Sequence, residues 1–92
     1  MDVFWSGNAQ VNYLEVIEQI FEKWNLDIVL RFENQVKELI EKISQYNYIC
    51  PSSKIVNLHR CIINEHTSLI YKLDGNIINV IDIIFNQSNH KF

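Results

Sequence analysis

The C-terminal half of this sequence gathers Lys54, His59, Arg60, His66, Tyr71, Lys72, His90 and Lys91, side chains that can move a proton or hold a phosphate. Residues of these types suit metal-independent RNA cleavage. That reaction needs a base to activate the 2′-hydroxyl, cations to hold charge on the phosphorane, and an acid for the leaving oxygen. Arg60 is the best candidate. It is one of two arginines in the chain, and its bidentate fork matches phosphate or carboxylate. The simpler reading of Arg60 is an ordinary strand arginine paired with an acidic side chain. His66 stands at a turn, where a histidine usually hydrogen-bonds backbone. Tyr71 shares a strand face with Leu69 and Leu73, so core packing with the hydroxyl at the rim competes with a role as general acid. Lys72 points to the opposite face, where Arg60 can join it if the register allows. His90 and Lys91 belong to a tail whose default is no role. The catalytic assignment therefore stays open among Arg60, His66, Tyr71, Lys72, His90 and Lys91.

His59, Cys61 and His66 do not have the four-ligand, paired spacing of a zinc site, so no metal and no cofactor is expected. The sequence contains no nucleophile elbow, glycine-rich phosphate loop or paired carboxylates in an apolar pocket. Cys50 and Cys61 are the only cysteines. The N-terminus lacks the basic start and apolar stretch of an export signal, so the expectation is a cytoplasmic protein with two reduced thiols and no disulfide.

These candidates need elements to position them. The 92 residues are 48% hydrophobic and 21% charged, as expected for one globular domain spanning 1–92. The net charge of −3 argues against a broad electrostatic grip on nucleic acid. No apolar run approaches a membrane span, and no repeat is present. The strongest local signal is Asp74-Gly75-Asn76 between two β-rich runs, which predicts a hairpin of Ser68–Leu73 with Ile77–Phe85. The second run is apolar except at Asn79 and Asp82, as in a central strand. Lys54–Asn64 reads as a further strand after a loop around Pro51.

Val3-Phe4-Trp5 reads as a short first strand and Ser6 as a helix N-cap. Ala9, Tyr13, Val16, Ile17, Ile20, Phe21 and Trp24 then form one helical stripe. Val11 and Leu14 fall off it, either as incidental outliers or as a surface for a partner. Asn25-Leu26-Asp27 interrupts the pattern and supplies a second cap candidate. A second stripe, Ile28, Phe32, Val36, Leu39, Ile40 and Ile43, continues toward Tyr46-Asn47, with Phe32, Leu39 and Ile43 expected against the sheet. Glu33–Lys37 and Glu38–Lys42 have the favourable i,i+4 spacing. The predicted architecture is α+β: a short N-terminal strand, then an antiparallel helical hairpin packed on an antiparallel sheet that ends in a three-strand meander.

This order of elements resembles the RelE/ParE superfamily of bacterial type II toxin–antitoxin toxins. The resemblance rests on the opening Val-Phe-Trp-Ser, on Arg60-Cys61-Ile62-Ile63-Asn64, on His66 through Leu73, and on Asp74-Gly75-Asn76 with the final apolar strand. It covers essentially the whole chain and lies closer to the ParE side, whose helical hairpin is long. It implies a plasmid-stabilisation-like toxin, neutralised by a cognate antitoxin, that arrests growth by binding a target such as DNA gyrase. One alternative is a ribosome-dependent mRNA endonuclease of RelE type. The other is a non-toxic interaction module that keeps the toxin fold. Many relatives follow the last strand with a basic segment of Asp-x-Arg type, whereas this chain reads Phe85-Asn86-Gln87-Ser88-Asn89, without an arginine.

Overall fold

The computed structural model describes residues 1–87 and 91–92. In chain order the elements are β1 (Asp2–Trp5), α1 (Gly7–Lys23), α2 (Leu26–Gln45), β2 (Leu58–Ile62), β3 (Thr67–Asp74) and β4 (Ile77–Phe85). No described helix is long and apolar enough to cross a membrane.

Both helix starts follow from side-chain caps. Ser6 Oγ accepts from the Ala9 amide at 3.0 Å, and Asn25 Oδ1 accepts from the Ile28 amide at 3.1 Å, each satisfying an orphan donor of a first turn. Between Lys23 and Leu26 the connection is only Trp24 and Asn25, so the helices return antiparallel. Of the first stripe, Ala9, Val16 and Ile20 are buried, but Phe21 and Trp24 are exposed. The second helix buries Val29, Phe32, Val36 and Ile43, while Leu39 is only partly covered. Neither Glu33–Lys37 nor Glu38–Lys42 closes into an ion pair among the described residues. Glu38 instead faces an amide hydrogen of Asn34 at 3.5 Å.

The sheet order is β1-β4-β3-β2. The meander is antiparallel as expected, but β1 adds parallel to β4, Asp2 opposite Ile77 and Trp5 opposite Val80, so the whole sheet is mixed. A bulge interrupts the β3–β4 ladder: Tyr71 pairs with Val80 and Ile70 with Asp82, leaving Ile81 as the extra residue. The insertion changes the face parity of β4. Val80 and Ile83, three residues apart, therefore both reach the core beneath the helices, with Leu69, Tyr71, Ile78 and Cys61. Ser68, Ile70 and Phe92 are also buried, outside that core.

Two expectations are corrected here. The strand expected over 54–64 is confined to Leu58–Ile62. Before it the chain curls: Ser53 Oγ accepts from the Ile55 amide at 3.0 Å, the Leu58 amide returns to Ile55 at 3.2 Å, and Asn57 takes φ 69°. Asparagine tolerates that left-handed conformation better than most residues. The second correction concerns the cysteines. Cys50 and Cys61 form a disulfide, with Cα atoms 5.2 Å apart. The residues after Cys50 run antiparallel along the outer edge of β2. Ser52 bridges to His59, the Arg60 amide donates to Pro51 at 3.0 Å, and the Ser53 amide donates to Leu58 at 2.8 Å. That path brings Cys50 alongside Cys61.

Candidate functional site

The period-two alternation of β2 and β3 sorts the candidate residues onto two faces. Arg60 stands opposite Ile70, and Leu58 opposite Lys72. Arg60 and Lys72 therefore share the face turned away from the helices, offset diagonally by one pair. His59 stands opposite Tyr71 on the helix side.

On the helix side, Tyr71 is fully buried, and its hydroxyl donates to the Asn47 carbonyl at 2.7 Å. The His59 ring stacks on it with centroids 4.9 Å apart, and His59 Nδ1 lies 3.0 Å from the Cys50 carbonyl. Burial pushes the Tyr71 pKa above its ordinary 10.0, against a lowering backbone hydrogen bond from Cys50. Tyr71 thus clamps the α2–β2 loop to the sheet and does not reach the face that carries Arg60 and Lys72. As a general acid beside those cations it is ruled out by its orientation.

On the other face, Arg60 is half-buried. Its Nε donates to Ser68 Oγ at 3.3 Å and its Nη2 to Asn86 Oδ1 at 3.2 Å. The Ser68 hydroxyl also donates to Asn86 Oδ1. Asn86 is the knot of this end of the sheet. Its side-chain amide donates to the carbonyls of Asn64 and Glu65 at 3.2 and 3.1 Å, and its backbone amide donates to His66 at 2.8 Å. The acidic partner expected in the simpler reading of Arg60 is replaced by a hydroxyl and an amide oxygen. Among the described residues, no carboxylate offsets the guanidinium charge within ion-pair distance. Lys72 is half-buried with no hydrogen-bond or ion-pair partner among the described residues.

The remaining candidates do not join Arg60. His66 is exposed at the β2–β3 turn, its Nε2 3.3 Å from Glu65 and its ring 5.5 Å from that of Trp24. Its backbone amide donates to Asn64 Oδ1 at 2.8 Å, whereas its ring, expected to bond backbone, meets the Glu65 carboxylate. Lys91 is exposed with its ammonium 5.6 Å from the Phe92 ring, and the Phe92 carbonyl accepts from the Lys54 amide at 3.3 Å. His90 lies outside the described residues. Of the zinc-like trio, Cys61 is committed to the disulfide and His59 to the Tyr71 stack.

Val11 and Leu14 are exposed, at 55% and 64%. Leu14 borders a shallow depression with Trp5, Gln10 and Tyr13. The Tyr13 pKa is raised, first by burial and then by the nearby Glu33 carboxylate. Ser68 and Asn86 were not among the sequence candidates. The only cue to Asn86 was its place just after the last strand, where relatives of the resembled type carry charge.

No family model and no curated protein matches this chain. Solved structures do. A chain of the chromosomal ParDE toxin–antitoxin system from P. aeruginosa aligns with a TM-score of 0.76 at 14% identity, covering 90% of this chain and 92% of that one. The YoeB/ParE toxin from Agrobacterium tumefaciens aligns at 0.68 and 13%, covering 94% and 99%. The YoeB dimer from Staphylococcus aureus aligns at 0.63 and 17%, covering 89% and 92%. At such identities the likeness is one of backbone, and it runs nearly end to end: this chain has the RelE/ParE toxin fold.

Proposed function

We propose that this chain is the toxin of a type II toxin–antitoxin module, acting in the cytoplasm by binding a target such as DNA gyrase and neutralised by an antitoxin. The observation that carries the reading is the end-to-end fold likeness to a ParDE chain. The face with Arg60 and Lys72 supports binding over cleavage. Tyr71 is turned into the core, and the guanidinium is tied down by Ser68 and Asn86. No described base stands beside Arg60. Val11 and Leu14 form the antitoxin contact, since partner segments commonly lay an apolar helix face on such exposed residues.

A second reading, RNA cleavage of RelE type, is favoured by one feature: the Arg60 charge has no carboxylate partner, which leaves it available to a phosphate. Expression in a bacterial host, with growth, transcript ends and plasmid supercoiling followed together, separates the two. Growth arrest with altered supercoiling and intact transcripts is expected. Rapid transcript cutting that disappears in Arg60→Ala would replace the binding reading with the nuclease.

A further inference from the structure

A cleft of about 250 Å³ opens where the helical hairpin meets the β2–β3 turn. Its floor is apolar, with Ile20 and Phe32 buried and Ile28 and Phe85 partly covered. One wall is the Trp24–His66 ring pair, and on the far side of that pair lies a second hollow of about 310 Å³, again bordered by Phe85. Trp24 remains 44% exposed although it belongs to the apolar stripe of α1. A tryptophan left open beside an apolar floor is a characteristic anchor of an interface.

Across the linings of the two hollows together, Arg31 and Lys23 outnumber the one carboxylate, Glu65. Arg31 borders the first hollow and has no ion-pair or hydrogen-bond partner among the described residues. Lys23 borders the second, its ammonium 5.3 Å from the Trp24 ring. Glu65 also borders the first hollow, where it lies 3.3 Å from His66 Nε2 and points largely into solvent. In a protein of net charge −3, these two cations beside an apolar floor select for a negatively charged occupant with an apolar anchor. The cleft begins about 9 Å along α1 from Leu14, six residues at the helical rise, so it is separate from the Val11–Leu14 contact.

We infer that this cleft receives an acidic peptide segment of a partner protein. A bulky apolar side chain enters beside Trp24 and Phe85, and the flanking carboxylates meet Arg31 and Lys23. The inference stands on the cleft and not on toxicity, and its test uses the purified chain, so its outcome is independent of whether expression arrests growth.

The probe is the hexapeptide acetyl-Glu-Glu-Leu-Phe-Glu-Glu-amide, titrated into isotopically labelled protein. The readout is the Trp24 indole N–H and the His66 and Thr67 amides by NMR. Saturable shifts at those groups are expected, with a dissociation constant of about 0.1–1 mM, as befits a short unstructured ligand. Arg31→Glu, a change at an exposed residue, should weaken binding about fivefold, and added salt should weaken it further. A version with lysines in place of the glutamates should not bind. Equal binding of the lysine peptide, or no shift at Trp24 and His66, would overturn the inference. Shifts that follow protein concentration without peptide would overturn it too, by assigning the cleft to a second copy of the chain.

Discussion

The two faces of β2 and β3 carry chemistry of the same kind and put it to different uses. His59 and Tyr71 stand beside Arg60 and Ile70 in the chain, yet a single peptide step moves a side chain to the other side of the sheet. On the helix side, a histidine and a tyrosine are stacked and committed to loop carbonyls, the tyrosine fully buried and the histidine half-buried. On the other side, an arginine and a lysine lie half-covered, and the arginine answers only to neutral oxygens. Residues adjacent in sequence were candidates for one site, and the sheet divides them between a structural clamp and a half-covered cationic face on which Ser68 and Ile70 are themselves buried. The helix side should therefore respond to substitution through stability. The cationic side should respond through binding.

The largest effect should come from the helix side. Leu69 is fully buried in the core beneath the helices. Leu69→Ala should cost about 2–5 kcal/mol from lost transfer energy and a residual cavity, against a total of about 5–15 kcal/mol for a protein of ordinary stability. Chemical denaturation measures it. A midpoint unchanged within error would mean that this face is not the core.

Next is the disulfide that ties the α2–β2 loop to the same side. Its sequence separation is 11, and closing a loop of that order stabilises by about 2–3 kcal/mol in the chain-entropy account. Purified without reductant, the protein should show no free thiol on titration, and Cys61→Ser should lower the denaturation midpoint accordingly. Two free thiols in the native protein would leave Tyr71, His59 and the edge hydrogen bonds as the loop's attachments. They would also restore the expectation of reduced cysteines that a cytoplasmic setting suggests.

On the cationic side, Asn86→Ala removes one acceptor from Arg60 and strands the carbonyls of Asn64 and Glu65. A loss of about 1–2 kcal/mol is expected, less than at Leu69 because water can reach these groups. The sharper readout is function. With its guanidinium released, Arg60 should contribute less to target binding while the core remains intact. Growth arrest as strong as wild type, at equal soluble protein, would remove this network from the functional face.

Much of this arrangement was legible before the structure. The caps at Ser6 and Asn25 are local, and they act on the amides three residues on. The Asp74-Gly75-Asn76 turn supplied the hairpin, with Gly75 at φ 61°. The shared face of Arg60 and Lys72 was legible only up to the strand register, which sets Arg60 opposite Ile70 and Leu58 opposite Lys72. What was not legible depends on the assembled sheet. Nothing local tells Val3-Phe4-Trp5 to add parallel to β4. Phe21 and Trp24 are exposed although the stripe read for α1 includes them, and Val29 is buried although it lies outside the apolar spacing read for α2. Cys50 meets Cys61 because the loop follows the β2 edge, a path no spacing rule encodes. Asn86 becomes a knot only when the end of β4 reaches the β2–β3 turn.

The smallest effect separates the faces by pH. Tyr71 titrates above its ordinary 10.0 in the folded chain because burial disfavours the phenolate. A folded-state pKa above the unfolded one stabilises the protein fully below the unfolded value, and that contribution is lost as pH rises through the folded value. Stability should thus fall on the alkaline side, beginning near pH 10, the ordinary tyrosine value. Tyr71→Phe should cost about 1 kcal/mol near neutrality, through the unpaired Asn47 carbonyl, and should make the alkaline fall shallower. Some of the fall should persist, because the Tyr13 pKa is raised as well. The measurement is denaturant midpoint against pH for both proteins. Parallel curves would mean that the Tyr71 hydroxyl is not enclosed, and that the helix side is more open than its packing implies.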